Sequence, residues 1–192
     1  MIDPLLIRTI SLGFALLFLI AAAHKFSNRS YFRASFEAYE IVPASLSGLV
    51  TKIIPPLELL LAVGWLALGL FAIEFELVTI LSIGLLMSYA LAIGVNLKRG
   101  RNHIDCGCSF SSNEASNPDS GSQQISSGLL YRNLMLVVMA IACTIPVSDR
   151  SLQLIDFFGL LFSAVSLTLL YGTYNQLLTN RNTINSWRQN NA

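Results

Sequence analysis

The sequence predicts an all-α, multi-pass integral membrane protein, a bundle of about five transmembrane helices with an additional interfacial amphipathic helix. The first observation is composition: of 192 residues, 54% are hydrophobic and 12% are charged, whereas soluble domains carry about 25% charged residues. The second is that the hydrophobic residues occur in five runs, each long enough to cross a hydrocarbon core of about 30 Å. A water-soluble globular domain is thereby excluded, and a net charge of +1 gives no basis for nucleic-acid binding.

The five runs predict helices, because lipid offers no hydrogen-bond partners to an open backbone and five segments cannot close a barrel. We expect a single transmembrane domain over residues 1–192, with a polar loop over 98–128. The loops alternate in length, so nearly all of the chain outside the bilayer is expected on one face. The predicted helices cover residues 5–23, 53–73, 77–97, 129–147 and 152–178.

The first long loop contains the pattern of an amphipathic helix. An aromatic stripe recurs there at helical spacing, and Arg33 and Glu37 are placed as an i, i+4 ion pair. Such a helix can lie in the membrane interface or on the bundle's own loops, and both interpretations stay open. The stripe consists of Tyr31, Phe32, Ser35, Phe36 and Tyr39.

The distribution of Lys and Arg predicts the orientation of the bundle. The face with the long loops and the C-terminus holds ten of the 12 basic residues, and the positive-inside rule places that face in the cytoplasm. The polar loop is therefore expected to be cytoplasmic. The ten residues are Lys25, Arg29, Arg33, Lys52, Lys98, Arg99, Arg101, Arg132, Arg181 and Arg188.

The sharpest motif with candidate chemistry is Cys106-Gly107-Cys108, which follows a basic run in the polar loop. Nearby positive charge lowers the pKa of a thiol and so favours the reactive thiolate. A disulfide closing so small a ring would be strained and therefore oxidising, and glycine permits the backbone angles of such a turn. The motif indicates a thiol–disulfide exchange site, with Cys106 and Cys108 as candidate catalytic residues and His103 in support.

Two other interpretations of this motif stay open. His103, Cys106 and Cys108 could bind a soft metal such as Cu(I) or Zn(II), but one chain supplies too few ligands for a closed zinc shell, so no metal site is assigned. The two cysteines could also have no chemical role. The remaining cysteine, Cys143, is interpreted as a small buried hydrophobic residue.

A second group of candidate residues is expected at the membrane end beneath the polar loop. Glu58 comes about one turn into the second predicted helix, and ionisable side chains inside a bilayer are costly enough to indicate a function and a partner. His24 and Lys25 end the first predicted helix on that face, and Arg132 begins the fourth. The cluster could hold the loop in place, relay a proton or bind the head group of a quinone, which is the one cofactor that the sequence suggests. The purely structural interpretation is an ion pair between helices.

Several short motifs of this sequence occur together in one membrane-protein family. They are His24-Lys25-Phe26, Tyr39, Pro43, Pro56-x-Glu58, the basic run 98–101 leading into 104–108, and Arg132-Asn133. With these motifs the chain resembles, over nearly its whole length, the MauE family of methylamine-utilisation membrane proteins, which are distantly similar to DoxX-type four-helix proteins. The most specific part of the resemblance is the basic run that leads into Asp-Cys-Gly-Cys.

The resemblance implies a multi-pass protein of the bacterial inner membrane that serves the biogenesis of methylamine dehydrogenase. The implied role is processing, transport or maturation, including disulfide formation, of that enzyme's small beta subunit. The implied partners are this subunit, a thioredoxin-like Mau protein and the lipid bilayer. Two alternatives are a DoxX-like quinone-linked oxidoreductase subunit and a non-catalytic scaffold for the thioredoxin-like partner. Whether the protein is itself an enzyme stays open, with thiol–disulfide exchange as the candidate activity.

The orientation is testable because the implied beta subunit is periplasmic, whereas the charge distribution places the cysteines in the cytoplasm. We expect a membrane-impermeant maleimide to leave reduced Cys106 and Cys108 unlabelled in intact cells and to label them after lysis. Labelling from outside would overturn the orientation and remove the conflict with a periplasmic substrate. A Cys143→Ser background restricts the label to the two loop thiols.

Overall fold

The computed structural model of the chain describes residues 3–71, 76–101, 125–148, 150 and 153–190. By length and composition, four helices of this part of the chain can cross a membrane, and a fifth apolar helix is shorter. The chain is a multi-pass helical membrane bundle, as predicted. In chain order the helices are α1 (Pro4–Ser27), α2 (Arg29–Ala38), α3 (Ala44–Phe71), α4 (Glu76–Lys98), α5 (Ser127–Ala142) and α6 (Leu154–Asn190).

Several helix boundaries differ from the predicted ones. α3 begins at Ala44 instead of residue 53, so that Pro55 and Pro56 lie inside the helix; membrane helices tolerate such prolines. α5 ends at Ala142 instead of residue 147, since Pro146 disfavours helical backbone just before it. Its 16 residues span only about 24 Å. At the other extreme, α6 continues to Asn190, well past residue 178.

The main core lies where α1 and α3 pack along each other and α4 and α5 close the bundle. Its largest residue is Trp65, which is completely buried and stacks on Phe14 with ring centroids 4.8 Å apart. The indole Nε1 donates to Ser82 Oγ at 2.8 Å, and this hydroxyl donates to the Val78 carbonyl at 2.7 Å. Packing and hydrogen bonds of this kind hold membrane helices together, because lipid tails remove most of the hydrophobic driving force.

Polar contacts tie chain segments together at each end of the bundle. At one end Arg150 bridges Asp3 at 2.7 Å and Asp156 at 2.6 Å, which joins the start of α1 to the start of α6. At the opposite end Asn96, near the end of α4, donates from Nδ2 to the Tyr39 carbonyl at 3.2 Å. These contacts place the turn after α2 beside the end of α4.

The amphipathic helix predicted around residues 31–39 is present as α2. Its exposed face carries the Arg33–Glu37 ion pair, with Nε and Oε1 2.8 Å apart. Its other face buries Phe32 and Ser35 on the bundle, and Tyr39, which caps the helix, is also buried. The aromatic stripe therefore covers one end of the bundle.

Candidate functional site

The most deeply buried charges of the described chain form one ion pair. Lys25 near the end of α1 and Glu58 in the middle of α3 are 2% and 1% exposed, and Lys25 Nζ donates to Glu58 Oε1. Tyr89 of α4 donates its hydroxyl to the same carboxylate oxygen at 2.8 Å, and the ammonium lies 3.4 Å from that hydroxyl. One carboxylate thus joins three transmembrane helices.

Aromatic rings complete the surroundings of the Lys25 ammonium. Its Nζ lies 5.3 Å from the ring centroid of Phe32 and 5.2 Å from that of Tyr89, within the range of a cation–π attraction. The other carboxylate oxygen, Glu58 Oε2, is buried and has no hydrogen-bond partner within the described part of the chain. Because buried polar atoms are nearly always hydrogen-bonded, Glu58 Oε2 is a position where a donor is expected.

Arg132 extends the polar cluster onto α5 and α6. It is 8% exposed, donates from Nη1 to Asn175 Oδ1 at 2.7 Å, and lies with its guanidinium carbon 5.8 Å from the Tyr171 ring centroid. His24, Lys25, Glu58 and Arg132 line one small cavity of about 50 Å³. The structure therefore brings together the four residues that the sequence places at a common depth.

A larger, mostly apolar groove adjoins this polar cavity. It has a volume of about 440 Å³ and lies between α1, α5 and α6. Arg132 and Tyr171 line both the groove and the small cavity, so the polar cluster forms one end of the groove. The arrangement can accommodate an elongated apolar molecule with a polar end.

The segment that leaves α4 toward the cysteines, Asn96–Arg101, is held in a defined conformation and is called the α4 exit below. Gly100 has φ +72°, a value that glycine adopts without strain. Its amide donates to the Leu97 carbonyl at 3.0 Å, and the Arg101 amide donates to the Asn96 carbonyl at 3.1 Å. This pattern is a Schellman motif.

Side chains anchor the α4 exit to the turn after α2. Arg101 Nη2 donates to Glu40 Oε2 at 2.6 Å, and Arg99 Nη1 donates to the Glu40 carbonyl at 3.4 Å. The Arg101 guanidinium lowers the pKa of the Glu40 carboxyl below its usual value of 4.5. Glu40 has φ 48°, an uncommon value for a residue with a side chain, and three polar contacts converge on Tyr39 and Glu40.

The candidate thiol residues Cys106 and Cys108, and with them His103, lie outside the described residues. The nearest described residues on either side of them lie at the same end of the bundle. Arg101 contacts Glu40, and Ile125 is 2% exposed in a cluster with Tyr39. Cys143 is a free, half-buried thiol at the end of α5, packed against the main core.

Sequence reasoning missed Tyr89 and Asn175, which contact the predicted residues. A tyrosine or asparagine in an apolar run carries no charge, so it stands out less than Glu58 does. Tyr89 lies one turn after Leu85 and Leu86, which belong to the main core, and this helical spacing could have indicated that its ring faces inward. Asn175 follows the Tyr171 and Tyr174 pair, where the apolar run of α6 becomes polar.

Comparison with known proteins gives this geometry a family context. A family model described as Methylamine utilisation protein MauE matches residues 3–146, which include α1 to α5 and the cysteine motif. The chain belongs to the MauE family. No solved structure shows a significant match to the chain.

Two curated MauE-family relatives cover most of this chain. Methylamine utilization protein MauE of Methylophilus methylotrophus is 31% identical over 170 residues, 88% of this chain and 84% of the relative. The protein of the same name from Paracoccus denitrificans is 30% identical over 142 residues, 74% of this chain and 70% of the relative. The family resemblance drawn from the motifs is thereby confirmed.

The buried ion pair should dominate the effects of single substitutions in this cluster. Lys25→Met or Glu58→Gln alone should lower the free energy of unfolding by about 3–5 kcal/mol, because each leaves a buried charge uncompensated. The double substitution should recover most of this loss. Unfolding in mixed detergent micelles measures these differences, and Arg33→Met, which removes the cation of an exposed pair, should leave stability almost unchanged. Additive losses in the double variant would contradict a direct pairing.

The contact between Glu40 and Arg101 should hold the amides of the α4 exit. Glu40→Gln should speed hydrogen exchange at Arg99 to Arg101 about two- to fivefold, in line with an exposed ion pair, as mass spectrometry of the peptide can measure. The pKa of Glu40 in the folded protein is lowered from 4.5. The contact therefore stabilises the α4 exit above pH 4.5, and this stabilisation is lost as the pH falls through the lowered pKa.

Glu37→Gln is the matched control for this experiment, since it breaks another exposed ion pair that does not touch the α4 exit. Equal exchange rates at the α4 exit in Glu40→Gln and Glu37→Gln would contradict the anchoring role of Glu40.

Proposed function

We propose that this protein is an accessory factor of the bacterial inner membrane for the biogenesis of methylamine dehydrogenase. In this proposal it acts in the maturation of the small beta subunit, through thiol–disulfide exchange at Cys106 and Cys108. Membership of the MauE family and the names of its relatives support the methylamine context. The substrate subunit and the thiol chemistry are our own extension of that context.

The observation that carries the proposal is the anchored α4 exit, which ends five residues before the first cysteine of the motif. Arg99 and Arg101 are held on the Glu40 turn by hydrogen bonds of 3.4 Å and 2.6 Å. The Schellman motif is a common helix end, so the contacts that favour a role here are those of Arg99 and Arg101 with Glu40. The anchoring supports a chain that leaves the bundle in a set direction, with fixed positive charge preceding the thiols.

The proposed step is an exchange that balances within the two proteins. The exchange requires the loop and the subunit's thiols on the same side of the membrane: in the cytoplasm before the subunit is exported, for the orientation that the charges predict, or in the periplasm if the maleimide labels the loop from outside. A disulfide between Cys106 and Cys108 accepts two electrons and two protons from a pair of thiols in the beta subunit. The S–S bond of this protein breaks as the S–S bond of the subunit forms, through a mixed disulfide. The reduced pair is then reoxidised by a partner disulfide, such as that of a thioredoxin-like protein, or by a membrane oxidant.

The cysteines should be indispensable for this function. Cys106→Ser and Cys108→Ser should each reduce active methylamine dehydrogenase at least about tenfold, since neither single thiol can form the pair. Cys143→Ser is the matched control: its thiol is half-buried at the end of α5, and enzyme levels should not change. Enzyme activity and beta-subunit abundance are measured in cells that accumulate each variant equally in the membrane.

Normal dehydrogenase levels in both loop-cysteine variants would reject the thiol chemistry and favour a non-catalytic scaffold. In that case, substitutions on the exposed face of α2 would be expected to abolish capture of a thioredoxin-like partner while the cysteine variants retain it. Loss of the dehydrogenase in the Cys143→Ser control would equally count against a specific role for the loop pair.

A further inference from the structure

We propose that the groove between α1, α5 and α6 binds a lipid-soluble quinone, with its ring at the Arg132–Tyr171 end. The redox role of this ligand rests on the proposed function, in which the reduced thiols need an electron acceptor. The binding site itself rests on the geometry of the groove, the buried and unpaired polar atoms beside its end, and its position in the bundle.

At one end of the groove, α5 and α6 are in direct contact. There the Tyr174 hydroxyl donates to the Gly128 carbonyl at 3.3 Å, and Leu178 packs with Leu129. Farther along, the walls are apolar and open to the surroundings, with Met135 and Leu170 each 66% exposed. A molecule dissolved in the bilayer can therefore enter from the side.

Two buried polar atoms without a hydrogen-bond partner lie in the small cavity beside the polar end of the groove. Glu58 is 1% exposed, and its Oε2 and the Nδ1 atom of His24 are buried without a partner within the described part of the chain. Both residues line the small cavity, which shares Arg132 and Tyr171 with the groove. A carboxylate oxygen can only accept, so the missing partner carries an O–H or N–H group.

A quinol matches both the apolar groove and the small polar cavity beside it. Its ring and isoprenoid chain suit an apolar groove of about 440 Å³, and its hydroxyl groups can form hydrogen bonds at the Arg132 end. The cavity of about 50 Å³ is too small for a ring, but it can hold a few waters that connect a hydroxyl group in the groove to Glu58. A phospholipid acyl chain would fill the groove equally well, but it has no polar group to join these water-mediated hydrogen bonds, so the observations favour the quinol.

The polar end of the groove lies at the end of the bundle from which the cysteine segment departs. Arg132 lies about 7.5 Å along α5 from Ser127 at 1.5 Å per residue, and Ile125 precedes the helix in contact with Tyr39. In the redox step, the two thiols lose two electrons and two protons and form an S–S bond. The quinone takes up both electrons and both protons, so that its two carbonyl groups become hydroxyl groups.

Binding is tested with the purified full-length protein in maltoside micelles, with ubiquinone-1 and ubiquinol-1 as probes and protein-free micelles as the blank. Met135→Trp fills the groove from its exposed wall and should weaken binding of both probes at least about tenfold. Val138→Trp is the matched control, since Val138 is also on α5, is 64% exposed and does not line the groove. Equal affinity in the two variants, or no saturable binding by the wild-type protein, would overturn the proposal.

The position of the ring is tested at the polar end. His24→Leu should weaken ubiquinol-1 binding about fivefold, the usual effect of one hydrogen bond, while ubiquinone-1 binding changes less. An equal change for both probes would reject a quinol hydroxyl at the polar cavity. Complete displacement of ubiquinol-1 by an equimolar saturated phospholipid would assign the groove to an acyl chain instead.

The quinone site and the thiol function can fail separately. A Cys106→Ser/Cys108→Ser protein should bind ubiquinone-1 as the wild type does, whatever its effect on the dehydrogenase in cells. If the protein binds ubiquinone-1 and the cysteine substitutions leave dehydrogenase levels normal, the quinone site stands and the thiol chemistry is rejected. If Met135→Trp abolishes ubiquinone-1 binding but dehydrogenase levels in cells stay normal, the quinone site stands and its redox role is rejected.

Discussion

The buried contact of Lys25, Glu58 and Tyr89 is the interaction on which the rest of this bundle depends. It joins α1, α3 and α4 at one carboxylate oxygen, in an environment where neither charge could remain alone. Removing either partner would leave an ion that no lipid can solvate. The two side chains must therefore meet, and this limits how far α1 and α3 can slide along each other. The stacking of Trp65 on Phe14 along the same two helices depends on the register between them.

The same contact also organises the end of the bundle that carries the candidate chemistry. The Lys25 ammonium lies over the ring of Phe32, so the ion pair is in direct contact with α2. The turn after α2 then presents Tyr39 and Glu40 to the α4 exit, which Asn96, Arg99 and Arg101 hold in place. The direction in which the chain leaves toward Cys106 and Cys108 is thus linked, through α2, to a charge pair inside the membrane.

Sequence reasoning found the charges and missed their uncharged partners. Glu58, Lys25 and Arg132 stand out because ionisable residues are rare in apolar runs, and helical spacing also revealed α2. Tyr89 and Asn175 carry no such signal, because only the fold shows that their polar atoms meet a charge. The end of α5 was placed too late because hydropathy continues through Ile145 and Val147, whereas the backbone restriction imposed by Pro146 ends the helix earlier. The start of α3 was placed too late because the continuous apolar run begins only after Lys52, whereas the helix also includes the more polar residues 44–52.

The ion pair and Tyr89 use only one of the two oxygens of Glu58. A buried pair that only holds helices together can be replaced by well-packed apolar side chains at little cost, and a carboxylate kept for stability alone would be expected to use both oxygens. Here Lys25 and Tyr89 share Oε1, and Oε2 has no donor within the described chain. Glu58 lines a small cavity together with His24, and Arg132 lines both this cavity and the groove. The same carboxylate therefore secures three helices with one oxygen, and its other oxygen is the one to which the proposed quinol would connect through water.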